Sequence, residues 1–276
     1  CVPQRQVIDV LNKLIKHGLN NKRVFLSTPV IPFKHLHLAT KLRKFPMLHV
    51  LEFVPFHPKY QIAHSLINNE DFGKLRLVSL NHSGYMYHGA AVIRRLTGYR
   101  TLTSIKTNNF GRYSEYHFHF KNNISAKITE PRDYENGRLF IAGTRQTISD
   151  YPLNSSHNIE IKRITSANGD LSHYQVNGNI AEHSATFSKA TKAVPQMSSC
   201  NGNPVRQEFI IAAAEFFQAH THNITPYSHT CADTIYEHLT MRIAKKLSIY
   251  VNILSILNIS PLLAILKRVC SAHKRK

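Results

Sequence analysis

The stretch HPKYQIAHSLINNEDFGKLRLVSLNHSGYMYHGAAVIRRLTG, residues 57–98, decides the fold. His57-Pro58 opens a helical run, with proline where its missing N–H costs nothing. Asp71-Phe72-Gly73-Lys74 reads as an exposed turn, and Leu75-Arg76-Leu77-Val78-Ser79-Leu80 as an apolar strand. Ser83-Gly84-Tyr85-Met86-Tyr87-His88-Gly89 then leads into a second helix that Gly98 closes. The pattern is a strand that delivers His88 to the first turn of a helix.

Upstream, Val7, Val10, Leu11, Leu14 and Ile15 recur at helical spacing within residues 4–17, and Gly18 stands as a C-cap. Val24-Phe25-Leu26 reads as a short buried strand ended by Ser27-Thr28-Pro29, because proline cannot donate to a central ladder. A second helix over 31–44 and a strand over 47–53 complete an alternation typical of a parallel, helix-covered sheet.

Downstream the rhythm changes. Strands are expected in succession at 75–82, 100–107, 112–121, 123–130, 138–143, 157–165 and 171–178. In Tyr113-Ser114-Glu115-Tyr116-His117-Phe118-His119-Phe120 successive side chains point to opposite faces. Consecutive strands without intervening helices argue for a mostly antiparallel sheet with one covered face. Residues 181–204, polar and containing Pro195 and Pro204, read as a long loop, with helices at 205–220 and 230–250. The fold class is therefore α/β plus α+β: a remnant of a Rossmann-type parallel sheet, then a large, mostly antiparallel open sheet covered by helices. The expected domains are 1–56, the C-terminal part of a dinucleotide-binding domain; 57–250, a substrate and oligomerisation domain; and 251–276, an apolar then basic tail.

Composition is that of a globular protein, 42% hydrophobic and 9% aromatic. The formal net charge of +19 favours anionic partners, although the basic residues are spread along the chain and cluster only at Lys267-Arg268 and His273-Lys274-Arg275-Lys276. Nucleic-acid binding would need those charges gathered on one face, and is not the favoured reading. Cys1, Cys200, Cys231 and Cys270 form no C-x-x-C pair, which argues against a zinc or redox motif and for reduced thiols in the cytoplasm. The sequence opens on Cys1 and passes directly into a helical run, which suggests a longer parent protein. The segment 247–266 is uncharged and long enough to span a bilayer, but Ser248, Asn252, Ser255 and Asn258 form a polar stripe and Pro261 interrupts it. A tail packed on the protein is favoured over one lying on a membrane surface or crossing it.

This order of elements resembles the Gfo/Idh/MocA oxidoreductases. Three stretches carry the resemblance: Val2-Pro3, Gly18, Val24-Phe25-Leu26 and Ser27-Thr28-Pro29; the segment 57–98; and Glu208-Phe209-Ile210-Ile211-Ala212-Ala213-Ala214 through Pro226 to a late helix. The resemblance implies an N-terminal Rossmann domain, a C-terminal domain with a broad sheet, and an active site between them. It implies NAD or NADP as cofactor, should the missing N-terminal half be present, with Pro3, Thr28 and Pro29 near it. It makes His88 the proton-transfer residue with Tyr87 beside it, and Tyr85, Tyr87 and His88 the substrate face. Three departures stand out. No Gly-x-Gly-x-x-Gly occurs; the family's Glu-Lys-Pro is Ser27-Thr28-Pro29; and the carboxylate expected four residues before the histidine is Gly84.

Other candidates have plainer readings. Tyr85 and Tyr87 read as ordinary packing aromatics as readily as ligands. Arg94 and Arg95 read as a solvated helix face, or as anion binders. His117 and His119 share a strand face, but no third metal ligand is identifiable, and His35 with His37 is weaker still on a helix. Asp233 and Glu237, beside His229 and His238, read as a solvated helix face. No metal is expected. The resulting expectation is an NAD(P)-dependent oxidoreductase-like protein acting on a polar, sugar-like, cyclitol or imine substrate, with a homo-oligomer possible through the open sheet. The alternative is a non-catalytic relative that senses a ligand or binds a partner.

Overall fold

The computed structural model describes residues 6–27, 42, 44, 45, 48–84, 86–98, 100–133, 137–181, 185–193, 201–221, 241 and 251–252. The chain divides into two compact units: residues 1–52 with 103–107 and 228–276, and residues 53–102 with 108–227.

In the first unit, helix α1 (Val7–Lys16) follows the expected apolar spacing and buries Leu11. Strands β1 (Val24–Ser27) and β2 (Leu48–Leu51) pair in parallel, Val24 opposite Leu48 and Ser27 opposite Leu51. Phe25 and His49 stack across this pair at 5.3 Å between ring centres. This two-stranded sheet is the parallel remnant expected from the sequence. Most of the helix expected over 31–44, the helix at 230–250 and the tail at 247–266 lie outside the described residues. Within that tail, Val251–Asn252 form a short strand rather than helix, antiparallel to Ser104 and Ile105.

The second unit begins with α2 (Pro58–Ile67), whose first position is Pro58 and whose N-cap His57 has extended ψ. Strand β3 (Leu75–Asn81) and helix α3 (Met86–Leu96) follow. The chain then forms β4 (Leu102–Asn109), whose residues 103–107 are counted in the first unit, and, in the second, β5 (Ser114–Phe120), β6 (Ile124–Glu130), β7 (Arg138–Gly143), β8 (Thr147–Ser149), β9 (Asn158–Thr165), β10 (Leu171–Val176) and β11 (Asn179–Ile180). Helices α4 (Ala185–Ala193) and α5 (Pro204–Thr221) close the unit. Its strands lie in the order β11-β10-β9-β8-β7-β3-β6-β5. β3 is parallel to β6 and β8 to β9, while the other pairings among these strands are antiparallel. The sheet is thus mixed and mostly antiparallel.

α3 packs on β3 and β6, α2 on β9, and α5 on β10. Val78, Leu80, Ile128, Leu139, Ile141 and Ile148 are fully buried and form the sheet's contribution to the core. Burying side chains of this size supplies roughly 2–3 kcal/mol each.

Three expectations change. The turn at 71–74 is not wholly exposed: Phe72 is completely buried, and Glu70–Phe72 form a 3-10 turn in which the Asn69 side chain accepts from Asp71 N at 3.1 Å. An apolar ring at the tip of a polar turn finds a core to enter. The loop expected over 181–204 contains α4, where alanines favour helix and buried Phe187 anchors it. β8 and β11, the shortest strands of the second unit, add to the expected set; they carry too few residues for an alternating pattern to stand out.

Candidate functional site

In α5 the sequence Glu208-Phe209-Ile210-Ile211-Ala212-Ala213-Ala214 places one carboxylate at the head of an apolar run. A carboxylate taken out of water must find cations or donors. Glu208 is only 3% exposed, and it finds three. His57 Nε2, at the N-cap of α2, lies 3.3 Å from Oε2. Arg163 Nη1, on β9, donates to Oε2 at 3.2 Å. The Tyr174 hydroxyl, on β10, donates to Oε1.

Burial by itself would raise the Glu208 pKa, but the charge and hydrogen bond of His57, then Arg163 and the Tyr174 hydroxyl, outweigh it and hold the carboxyl at about 2. Glu208 is therefore ionised at neutral pH and is an acceptor only, so the His57 nitrogen facing it, Nε2, carries the proton. The other ring nitrogen, Nδ1, is buried without a hydrogen-bond partner among the described residues. Burial, and next the nearby Glu208 charge, push the Tyr174 hydroxyl well above its ordinary range.

A second pair adjoins the first. Lys59 Nζ donates to Asp150 Oδ2 at 2.6 Å, and Asp150 Oδ1 accepts from Leu139 N at 2.7 Å. Burial pulls the Lys59 pKa down, but Asp150 outweighs it and the net shift is upward. Neighbouring Gln207 fixes α5 against β10, accepting from Leu171 N at 2.6 Å and donating to Asp170 Oδ1 at 2.5 Å.

These groups surround a cavity of about 240 Å³ inside the second unit. Its basic lining residues are His57, Lys59, Arg132, Arg138, Lys162 and Arg163, and its acidic ones are Asp133, Asp150 and Glu208. Two lining hydroxyls are engaged with backbone: Tyr60 donates to Ser83 O at 3.2 Å, and Ser83 donates to Arg138 O at 2.9 Å.

The residues singled out from sequence fall elsewhere. His88 does occupy the first turn of α3, with its ring 4.5 Å from that of Tyr87, and both side chains are half-buried. Neither lines the cavity. Pro3, Thr28, Pro29 and Tyr85 lie outside the described residues, as do His35, His37, His229, Asp233, Glu237 and His238.

At Gly84 the packing is closed. A Cβ there would sit 3.2 Å from Gly89 Cα, 3.2 Å from Leu80 Cδ1 and 3.3 Å from Ile128 Cγ2. α3 therefore presses its N-terminal end against the sheet through two glycines, and a side chain at position 84 would require its neighbours to give by a few tenths of an ångström.

Arg95 is a correction to the solvated-face reading. It is 8% exposed, donates to Pro55 O and Gln61 Oε1 at 2.9 Å each, and lies over the Phe56 ring at 4.9 Å. Arg94 is half-buried and donates to Arg100 O at 3.0 Å. His117 turns to Glu115 at 3.1 Å, with Lys127 at 3.4 Å from the same carboxylate. Among the described residues no group of three or more His, Cys, Asp or Glu side chains is placed to hold a metal ion.

A nicotinamide dinucleotide would need backbone N–H groups brought close to its pyrophosphate by glycines. The sequence has no such motif, and its closely spaced pair, Gly84 and Gly89, is committed to packing. The described residues do not fit that cofactor.

No protein-family model matches this sequence, and no curated protein matches it. Solved structures do match. An oxidoreductase from Agrobacterium radiobacter, in complex with NAD+, L-tartaric acid and magnesium, is 12% identical with a TM-score of 0.62, over 93% of this chain and 80% of that one. Myo-inositol 2-dehydrogenase from Lactobacillus plantarum is 12% identical with a TM-score of 0.57, over 91% and 78%. GenD2 from gentamicin A biosynthesis, in complex with NAD, is 12% identical with a TM-score of 0.57, over 92% and 77%. At these identities the likeness is one of fold. It bears out, as a likeness of fold, the Gfo/Idh/MocA resemblance carried by the three stretches of sequence.

Proposed function

We propose that this chain is the substrate-side part of an NAD(P)-dependent oxidoreductase-type protein acting on a polar carbonyl, hydroxyl or imine of a sugar-like or cyclitol substrate. The supporting observation is His88 in the first turn of α3, directly after β3, within a fold shared with inositol dehydrogenases and NAD-bound oxidoreductases. A half-buried imidazole there can take or return the substrate's hydroxyl proton through a ring nitrogen. Tyr87, in ring contact with it, can bear on the same substrate oxygen. Tyr85 belongs to the same proposed face, and Thr28, Pro29 and Pro3 to the cofactor side. A nicotinamide nucleotide would supply the hydride acceptor or donor only in a protein that also carries the glycine-rich nucleotide-binding half.

A cytoplasmic setting and pairing of copies through the open sheet belong to the same reading. Among the described residues no helix is long and apolar enough to cross a membrane.

A second reading, a non-catalytic ligand-binding relative, is favoured by Ser27-Thr28-Pro29 in place of the family's Glu-Lys-Pro and by Gly84 in place of its carboxylate. Fluorescence titration with NADH and NADPH separates the two. It is run on this chain and on the product of its full reading frame, followed by turnover assays with cyclitols and sugars. The oxidoreductase reading expects cofactor binding by the full product. It also expects His88→Ala to bind cofactor unchanged while turnover falls roughly 100-fold or more. Absence of binding by either protein rejects it and leaves the second reading.

A further inference from the structure

Between β3 and α3 the chain passes through a non-glycine residue in the left-handed region: His82, half-buried, has φ +53°. A side chain is sterically disfavoured there, and such strain persists only where the surroundings impose it. Glycine would take this conformation freely, yet position 82 carries a ring, and the ring is engaged. Its Nδ1 donates to Pro131 O at 2.7 Å. The backbone of the same residue meets the same stretch of chain: His82 N donates to Thr129 O at 3.1 Å, and His82 O accepts from Asp133 N at 2.7 Å. His82 is thus bonded on its N–H, its carbonyl and its side chain to the segment that ends β6.

The following residue is held from two other directions. Ser83 donates to Arg138 O at 2.9 Å, and Ser83 O accepts from the Tyr60 hydroxyl at 3.2 Å. Gly137 lets the returning chain close over this point, since a Cβ there would sit 2.7 Å from His82 O and 2.8 Å from Ser83 Cα. The contact of Gly84 with Gly89 sets how near α3 lies to the sheet, but it supplies no directional bond. The directional bonds are made at His82 and Ser83, and His88 follows in the first turn of the helix they lead into.

We infer that His82 is a positioning residue: its left-handed backbone and its ring bond to Pro131 O aim the chain from β3 into α3 and so fix where the His88 imidazole stands. This role rests on the oxidoreductase reading, in which His88 moves the substrate proton. His82 acts through His88, because proton transfer needs the imidazole held within hydrogen-bond reach of the reacting oxygen.

The test reads the His88 ring directly, by proton–carbon NMR of this chain with labelled histidine, the signal being assigned by its loss in His88→Gln. An aromatic neighbour shifts a ring proton by an amount that falls steeply with distance, so the Tyr87 ring, 4.5 Å away, makes that signal a gauge of local geometry. His82→Gly keeps the left-handed backbone and removes the ring bond. His82→Asn keeps a residue that tolerates the left-handed region and offers an amide donor toward Pro131 O. The expected result is a His88 signal moved by more than its linewidth in His82→Gly and returned to its parental position in His82→Asn. Asn177→Ala is the control. Asn177 is also left-handed, φ +49°, and its Oδ1 accepts from Glu160 N at 2.8 Å, but β10 is separated from β3 by β9, β8 and β7. That variant should lower the thermal unfolding midpoint and leave the His88 signal in place. In the product of the full reading frame, His82→Gly should lower kcat about tenfold with KM within about twofold, and His82→Asn should restore it. The proposal is overturned if His82→Gly leaves the His88 signal unmoved, or if Asn177→Ala moves it as far. A parent that turns over no cyclitol or sugar would reject the oxidoreductase reading instead, and the NMR comparison would still decide whether His82 places the ring.

Discussion

Glu208 Oε2 lies 3.3 Å from His57 Nε2 and joins the second turn of α5 to the cap of α2 across the widest sequence gap of any ion pair described in the second unit. Breaking a buried pair from one side leaves the other partners uncompensated. Glu208→Ala should cost about 3–5 kcal/mol of unfolding free energy. Glu208→Gln, which keeps an acceptor of the same shape, should cost about 1–3 kcal/mol. Denaturant unfolding followed by circular dichroism measures both. A Glu208→Ala protein within about 1 kcal/mol of the parent would mean that the cluster does not hold the helix.

The same carboxylate sets an acid limit. Its folded pKa is about 2, against 4.5 for an unperturbed glutamate. The stability it contributes is fully present above the unfolded value and is lost as pH falls from about 4.5 through 2. The amount is on the order of 3 kcal/mol. Unfolding titrations from pH 6 to pH 2 should show this slope in the parent and a flatter one in Glu208→Gln. On the alkaline side Lys59 and Tyr174 both have raised pKa values. Their contributions hold below the unfolded values and decline as pH rises beyond about 10.

Gly89 should be replaceable only together with Ile128. A Cβ at Gly89 would sit 2.8 Å from Ile128 Cδ1, the far end of a side chain. Gly89→Ala alone should cost about 1–3 kcal/mol through overpacking. Ile128→Val removes the obstructing methyl, and the double variant should recover to within about 1.5 kcal/mol of the parent, helped by the helix preference of alanine. A double-mutant cycle by thermal unfolding reads the coupling, and additive costs would show that the two sites do not touch.

Arg95→Lys should not be conservative. The guanidinium spans two acceptors, Pro55 O and Gln61 Oε1, while lying on Phe56. An ammonium cannot reach both and stack as well, and the loss should be about 2 kcal/mol in denaturant unfolding. An equal stability for Arg95→Lys would mean that charge alone matters there.

Much of the architecture was legible in the sequence because it rests on local periodicity. The alternation in Ser114–Phe120 and the strand–helix junction at 75–96 fall where the residues suggest. α4 escaped because polar residues before it and Pro195 and Pro204 after it hid a short alanine-rich helix anchored by one phenylalanine. The polar cluster escaped for a different reason. His57, Arg163, Tyr174 and Glu208 come from four separate segments, and no spacing rule links them. One clue was available: Glu208 heads an apolar helical run, and a carboxylate buried there needs cations. Arg95 misled in the opposite direction, since a basic residue late in a helix reads as solvated until the carbonyl of Pro55 is placed beside it.

The central position of β3 also fixes an order of assembly. Its two neighbours, β6 and β7, are not made until residues 124–143, so during synthesis this apolar strand emerges before either partner exists. Glu208 appears later still. The tie between α5 and α2 can therefore form only once residue 208 has been made. Mutations in that tie should act mainly on how fast the protein unfolds, and mutations in β3 on how fast it folds.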